Sequence, residues 1–360
     1  MVDDLTSRYN KCTTAAQFSL IKIQFLRNIT DFENKGNFDM VVLLRIALAQ
    51  AKILNNELPD DCLYDARTKI TQKSRFIENS DVLQARLLMV RSRWYTHCGD
   101  VTKAVESAGQ ALAMLASSHV LSPYDQAFGY NSSARSLHYQ LGQRQSYNFS
   151  DYAPAIHFLD CSIGIYKTLS CETQRRHCVY IMLNKVKLLL HWLDNDLYPL
   201  RHDVTDDELS EAGEILDDAF KIADVNEPRA LSRHERLQAV ANVRKAQKCW
   251  SYLGFPSSRV EQQASTTSES RALQQLDTCI KAAFTGVINA HSHVCKLDTV
   301  ELDQALRMKS LLDATPPFSD RFYLWTKVCS ENTGRRTRWC RAHGLPRNQE
   351  TKSELSKADL

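Results

Sequence analysis

The amino-acid sequence predicts an all-α fold, a right-handed superhelical α-solenoid of helical hairpins, and three observations predict it. Glycine and proline are scarce, 11 and 9 in 360 residues, about half the combined share of an ordinary globular chain. Helical proteins tolerate such poverty in turn residues; sandwiches and barrels seldom do. Amphipathic segments recur in pairs along the chain. The second segment of a pair carries small residues at intervals of four and three, as at Ala104, Ala108 and Ala111.

The best-formed pair runs from Leu83 to Leu115. Tyr95, Gly99, Asp100, Ala104, Ala108 and Ala111 fall there at the offsets of a helix-turn-helix repeat of tetratricopeptide type. Gly99 ends the first helix, because glycine adopts the left-handed C-cap conformation without strain, and Asp100 caps the second. The three alanines share one helical face and let the two helices approach closely. Tyr95 is expected to fill the space at the end of the first helix.

The other elements follow in order. An earlier pair covers 13–29 and 37–54, joined at Lys35-Gly36-Asn37-Phe38, with Ala47 and Ala51 out of frame. A further helix is expected at 61–77, after the turn at Pro59 and Asp60. The pair after the best-formed one covers 124–141 and 151–169, with Ala155, Leu159 and Ser162 in the small-residue rhythm and a long connection at 142–150. A fourth covers 174–194 and 206–223, with Ala212, Leu216 and Ala219 in the same places. Thr205 with Glu208 forms a capping box that fixes the start of its second helix. A fifth covers 233–253 and 268–288, with Ala272, Leu276 and Cys279; Ser232 with Glu235, and Thr266 with Glu269, read as further caps. The polar stretch 255–268 is expected as a mobile loop within that pair. Two last helices, 297–313 and 319–330, flank Pro316-Pro317 and are candidates to cap the array.

The array therefore occupies 1–333, best formed over 80–225, with 334–360 as a disordered basic tail. Residues 104, 155, 212 and 272 recur at intervals of 51, 57 and 60, against about 34 in ordinary tetratricopeptide repeats. The repeats are divergent, with longer helices and loops.

Charge and cysteine usage bound the function. The 45 basic and 42 acidic residues leave a net charge of +3, so no global field draws the protein to nucleic acid or membrane. The start lacks the basic and apolar runs of a signal peptide, and no apolar stretch of about 18 residues occurs; a soluble, intracellular protein is expected. The 11 cysteines are scattered without a C-x-x-C pair. Several, such as Cys98, Cys161, Cys249 and Cys279, lie in helical patterns and read as reduced core thiols in preference to disulfides or metal ligands.

Three stretches carry a resemblance to a known family. They are Gln84-Ala85-Arg86-Leu87 through Tyr95, Gly99 and Asp100 to Ala111-Leu112-Ala113-Met114-Leu115; Tyr130-Asn131 with Leu137-His138; and Tyr152, Ala155-Ile156, Phe158-Leu159 and Ser162 followed by Lys185-Val186 and Leu188-Leu189-Leu190, then Ala212 and Ala219. Their order resembles the meiosis-specific sporulation protein twenty-two / testis-expressed protein eleven family, the tetratricopeptide scaffold of the ZMM crossover group. The resemblance covers about 80–225. It implies a nuclear, chromosome-associated protein of meiotic prophase without chemistry of its own, a hub whose partners are other crossover or synapsis proteins and which supports crossover formation and synaptonemal complex assembly. Members are considerably longer arrays, so the likeness implies an amino-terminal part or a shortened copy. The alternative is a general tetratricopeptide adaptor binding peptide or chaperone partners in the cytoplasm.

Candidate sites are few. No Gly-x-Ser-x-Gly elbow, Gly-x-x-x-x-Gly-Lys loop or Gly-x-Gly-x-x-Gly turn occurs, so no catalytic residue, cofactor or small-molecule substrate is assigned. The acidic pairs Asp60-Asp61, Asp206-Asp207 and Asp217-Asp218 suit helix starts and solvated faces. In an extended segment His291, His293 and Cys295 would face one way and reach a single zinc ion, but no fourth ligand is evident and no metal is assigned. Fitting the repeat frame to Tyr95 puts Arg86 and Arg93 on the concave side of one pair and Asn131 and Arg135 on that of the next. Such a wall suits an acidic or C-terminal peptide; the alternative is a set of solvated positions on exposed helices. Lys185 and Lys187 are expected to extend it. The run Arg335-Arg336-Thr337-Arg338-Trp339-Cys340-Arg341 is the one segment suited to contact phosphate backbones or to act as a nuclear import signal.

Overall fold

The computed structural model describes residues 5, 6, 8, 9, 12, 14–55, 57–117, 122–143, 149–170, 177–192, 204–223, 227–253, 267–294, 304–308, 310 and 312. The fold is all-helical, and no strand occurs among the described residues. Local chemistry sets most of the helix starts. In α1 (Ala15–Asn34) the Thr14 side chain accepts from the Gln17 N–H, and in α2 (Phe38–Leu54) Asn37 accepts from Met40, each satisfying a donor the first turn leaves open. The turn between them uses Gly36 at φ 71°. Acidic Asp60 and Asp61 open α3 (Asp60–Gln72), where they complement the positive end of the helix dipole. A short 3-10 turn, Ser74–Phe76, follows.

The best-formed pair folds as α4 (Ser80–Cys98) and α5 (Val101–Ser117). Gly99 takes φ 80° at the C-cap, and Asp100 accepts from the Lys103 N–H at 3.2 Å. Ala104, Ala108 and Ala111 are all buried. Tyr95 behaves differently from the expectation. It is only half-buried, its hydroxyl accepts from Arg91, and the Arg91 and Lys103 cations lie against its ring. It is the β-branched Thr96 that turns into the packed side, donating to the Ser92 carbonyl.

Next come α6 (Pro123–Gly142) and α7 (Phe149–Thr168), then α8 (Cys178–Leu189) and α9 (Asp206–Ile222), then α10 (Pro228–Tyr252) and α11 (Thr267–Val294). Ala155, Leu159 and Ser162 in α7 and Ala212, Leu216 and Ala219 in α9 are buried. The Thr205 capping box is fully formed, the hydroxyl accepting from the Glu208 N–H and the Glu208 carboxylate from the Thr205 N–H. The expected cap at Ser232 is not. Helix α10 begins five residues before the expected 233, at Pro228, whose fixed φ and missing N–H suit a first helical position. Ser232 is therefore inside the helix and buried.

Helices α2, α4, α6, α8 and α10 form one layer, each touching the next, and α3, α5, α7, α9 and α11 pack behind them, each against its predecessor in the chain. Among the described residues the core has three parts. One, from the amino-terminal segment to α4, includes Phe25, Leu44, Leu48, Ala66 and Leu83; another, from α6 to α11, includes Ala134, Leu159, Leu183, Leu216, Leu237 and Phe284. Ala85, Met89, Ala111 and Leu115 form a smaller third cluster between α4 and α5. Ala305, Met308 and Leu312 are buried, the last two in the second of these cores. At the other end α1 leaves Leu20, Ile23 and Leu26 exposed on its outer side. The long connection after α6, the loop around 255–266, the Thr266 cap, most of 297–330 and the basic tail lie outside the described residues.

Two contacts tie the last helix of the first layer to the start of the chain, one of them to the first helix of that layer. Arg229, in the first turn of α10, donates to the Asn55 side chain at the C-cap of α2 (3.1 Å) and to the Tyr9 carbonyl (2.7 Å). The layer curves until its last helix meets its first.

Candidate functional site

On each first-layer helix the side chains facing away from the second layer recur at three and four residues, which keeps them on one surface. The frame reads 43, 46, 47, 50, 51, 54 on α2; 86, 90, 93 on α4; 124, 128, 131, 135 on α6; 180, 181, 184 on α8; and 229, 233 on α10. With Thr6, Tyr9, Phe25, Tyr166 and His177 they line a partly open cavity of about 310 Å³, at the lower end of the usual ligand-pocket range of about 300–1,000 Å³.

Arg86, Arg93, Asn131 and Arg135 all line this cavity. Arg86 forks onto both carboxylate oxygens of Asp125, a side chain that is 2% exposed. That bidentate pair neutralises the guanidinium and ties α4 to α6. Lys185 and Lys187 do not extend the wall. Lys185 ion-pairs with Asp160 and Glu211, each at 2.6 Å, on α7 and α9, and Lys187 is buried outside the cavity lining. Asn184 takes the place expected of them. Its amide donates to the Asn131 side chain at 2.7 Å and accepts from Arg233 at 2.6 Å, a polar chain across α6, α8 and α10.

One side of the cavity is aromatic. Tyr124 stacks on Phe128 at 6.5 Å, meets Tyr166 edge-on at 5.8 Å, and hydrogen-bonds His177 Nδ1 at 3.2 Å. Tyr9 lies under the Arg229 guanidinium, 4.1 Å from ring centroid to Cζ. Cations are interleaved with these rings, the Arg86 guanidinium lying 5.9 Å over Tyr124 as Arg229 lies over Tyr9. Arg86, Arg93, Arg135, Arg229 and Arg233 line the cavity, and no Asp or Glu does so among the described residues. Burial lowers the Arg135 pKa from its ordinary value, Tyr139 opposes this, and the Arg233 cation adds to it. No carboxylate is among the described groups that act on Arg135.

One turn further along α6, His138 is buried and its Nε2 has no hydrogen-bond partner among the described residues. Burial, with the charges of Lys187, His191 and Arg135, drives its pKa down to about 3. His191, at φ 48°, and Tyr152 hydrogen-bond the Glu208 carboxylate. Burial favours the protonated acid, but these bonds and those from Thr205 outweigh it and hold Glu208 at about 2.

Other chemistry finds little support. Cys12, Cys62, Cys178 and Cys279 are buried free thiols; burial pushes Cys62 and Cys178 up to about 11, away from the thiolate form that reacts. Of the thiols expected in the core, Cys279 is buried, but Cys98 is exposed and Cys161 and Cys249 are only partly buried. The alternating arrangement of His291 and His293 does not arise, because α11 continues to Val294 and successive residues turn about the helix axis. Cys295 lies outside the described residues. No group of three or more metal-ligating side chains occurs among the described residues, and none of their helices is long and apolar enough to cross a membrane. No family model matches the chain, nor does any curated protein or solved structure.

Tyr124, Phe128, Asn184, Arg229 and Arg233 complete the wall without having been singled out in the sequence. The four-and-three frame through Asn131 and Arg135 already contains 124 and 128, and the same rule carried to α8 would have chosen 184 instead of 185.

Proposed function

We propose that this chain is a non-enzymatic protein-interaction scaffold whose first-layer helices hold an acidic peptide segment. The observation that carries this reading is a cavity whose wall holds Arg93, Arg135, Arg229 and Arg233, besides the Arg86 that Asp125 neutralises, with no Asp or Glu among its described lining residues. Guanidinium groups in such a setting favour carboxylates, which they bind by paired, charge-assisted hydrogen bonds. The alternating layers support a finer architectural reading, a right-handed superhelical α-solenoid of divergent tetratricopeptide-like hairpins. The sequence resemblance over 80–225 supports a finer reading, a scaffold that works in meiosis at chromosomes in the nucleus, with other crossover or synapsis proteins as its partners.

The test is affinity purification of the tagged chain from meiotic cells beside a variant carrying Arg93→Glu and Arg135→Glu. The reading expects a set of meiotic partners that the double variant loses while still folding. An unchanged set sinks the groove assignment. Steady expression in vegetative cells, with chaperones as the main partners, sinks the meiotic reading and favours a cytoplasmic adaptor.

A further inference from the structure

The cavity wall is not uniform along its length, and α6 runs through its zones in order. Phe128 sits at the aromatic end, stacked on Tyr124, which also meets Tyr166 and carries over its ring the Arg86 guanidinium that Asp125 neutralises. Asn131 follows in the middle, its carbonyl oxygen engaged by Asn184; its own amide hydrogens and the second hydrogen of Asn184 are the donors an extended backbone would meet. Arg135 comes next, close enough to Arg233 for the two cations to repel. The three positions share one helical face because they are spaced by three and four.

We infer that the groove recognises a two-part linear segment, a bulky apolar side chain seated against Tyr124 and Phe128 and an anionic side chain seated at Arg135 and Arg233. This rests on the acidic-peptide reading and adds to it a second determinant and a spacing. Phe128 and Arg135 are two helical turns apart, about 10 Å along the axis at about 1.5 Å per residue. An extended peptide advances about 3.3 Å per residue, so the apolar anchor and the anion stand about three residues apart in the ligand. The aromatic rings bury apolar surface that an all-acidic segment does not supply. The Arg135 and Arg233 pair supplies charge that an all-apolar segment does not use.

The experiment measures binding of fluorescein-labelled peptides in a Gly/Ser background to the full chain by anisotropy. One peptide carries Phe and an Asp-Asp pair about three residues apart, made in both orders because the chain direction is open. The others carry only the Asp-Asp pair, only the Phe, or both placed side by side. The spaced peptide is expected to bind, in one order, about tenfold more tightly than each of the others. Phe128→Ala and Arg135→Gln each reduce that affinity about tenfold, while Leu20→Ser on the exposed side of α1 leaves it unchanged. Arg135→Glu, with its folding checked by thermal melting, shifts preference toward the same peptide carrying Lys-Lys.

Equal affinity for the spaced and the Asp-only peptides overturns the two-part inference and leaves the acidic-peptide reading standing. Absence of binding by every acidic peptide overturns both. An Arg135→Glu protein that still prefers the acidic peptide also overturns the inference.

Discussion

Arg229 grips Tyr9 twice, by a 2.7 Å hydrogen bond to its carbonyl and by a guanidinium centred 4.1 Å from the ring centroid. The two residues are 220 positions apart in the chain. Arg229 is 2% exposed and also holds the Asn55 side chain, so this cation joins the amino-terminal segment, α2 and α10.

Removing it is expected to be costly. A desolvated cation–π contact is worth about 2 kcal/mol, and a charge-assisted hydrogen bond about 1.5–3 kcal/mol. Arg229→Ala should lower unfolding stability by about 3 kcal/mol in urea titration. Arg229→Lys keeps the charge but loses the planar fork, and should fall between the two. A Lys variant as stable as the native protein would show that charge alone matters.

Two helical glycines should respond to alanine in opposite directions. A Cβ on Gly286 of α11 would lie 2.8 Å from the Glu235 carbonyl oxygen and 3.0 Å from Ala239 Cβ, so α10 and α11 would have to separate. Overpacking of that kind costs about 1–3 kcal/mol, more than the helix-propensity gain of about 1 kcal/mol. Gly213 of α9 meets nothing within 4 Å, and Gly213→Ala should stabilise by about 0.5–1 kcal/mol. Thermal melting of the two variants checks both signs.

His138 should make the fold acid-sensitive above the carboxylate range. Its folded pKa of about 3 lies below the ordinary 6.5, so the unfolded chain takes up the proton first as pH falls. Stability is then lost from about pH 6.5 down to about 3, at up to about 1.4 kcal/mol per pH unit. Arg135, Lys187 and His191 face the ring and none supplies a compensating negative charge. His138→Phe should lose less stability than the native protein between pH 7 and pH 4, measured in urea at each pH. Parallel curves for the two proteins would exclude His138 as the source.

Glu208 acts in a lower window. Its folded pKa of about 2 lies below the ordinary 4.5, so its contribution is present above about pH 4.5 and disappears as pH falls toward 2. At pH 7 Glu208→Gln should cost on the order of 2 kcal/mol, and the variant and native proteins should converge near pH 2. A constant difference across that range would mean that the capping geometry matters and the charge does not.

What could be read in the sequence was local. Gly99 with Asp100, and Thr205 with Glu208, hold their positions through bonds within a few residues, so their types and spacing were enough. The frame through Arg86, Arg93, Asn131 and Arg135 was legible for the same reason, since helical periodicity alone brings such residues to one face. Ser232 was misread because Ser-x-x-Glu fits a helix start and a helix interior equally well, and only Pro228 upstream decides between them. Lys185 looked like groove lining by charge, but Asp160 and Glu211 on neighbouring helices claim it. Neither the Arg86–Asp125 pair nor the Arg229–Tyr9 contact leaves a local mark, as the partners are 39 and 220 residues apart.

The return of α10 to α2 and Tyr9 bears on how the chain emerges from a ribosome. Stacked repeats ordinarily settle one after another, each needing only its neighbour. Here Tyr9 and Asn55 wait for Arg229, and at about 5–20 residues per second that takes on the order of ten to forty seconds of translation. During that interval the aromatic and apolar residues that later face the cavity have no far wall opposite them, and a nascent chain paused before residue 229 would present them to chaperones.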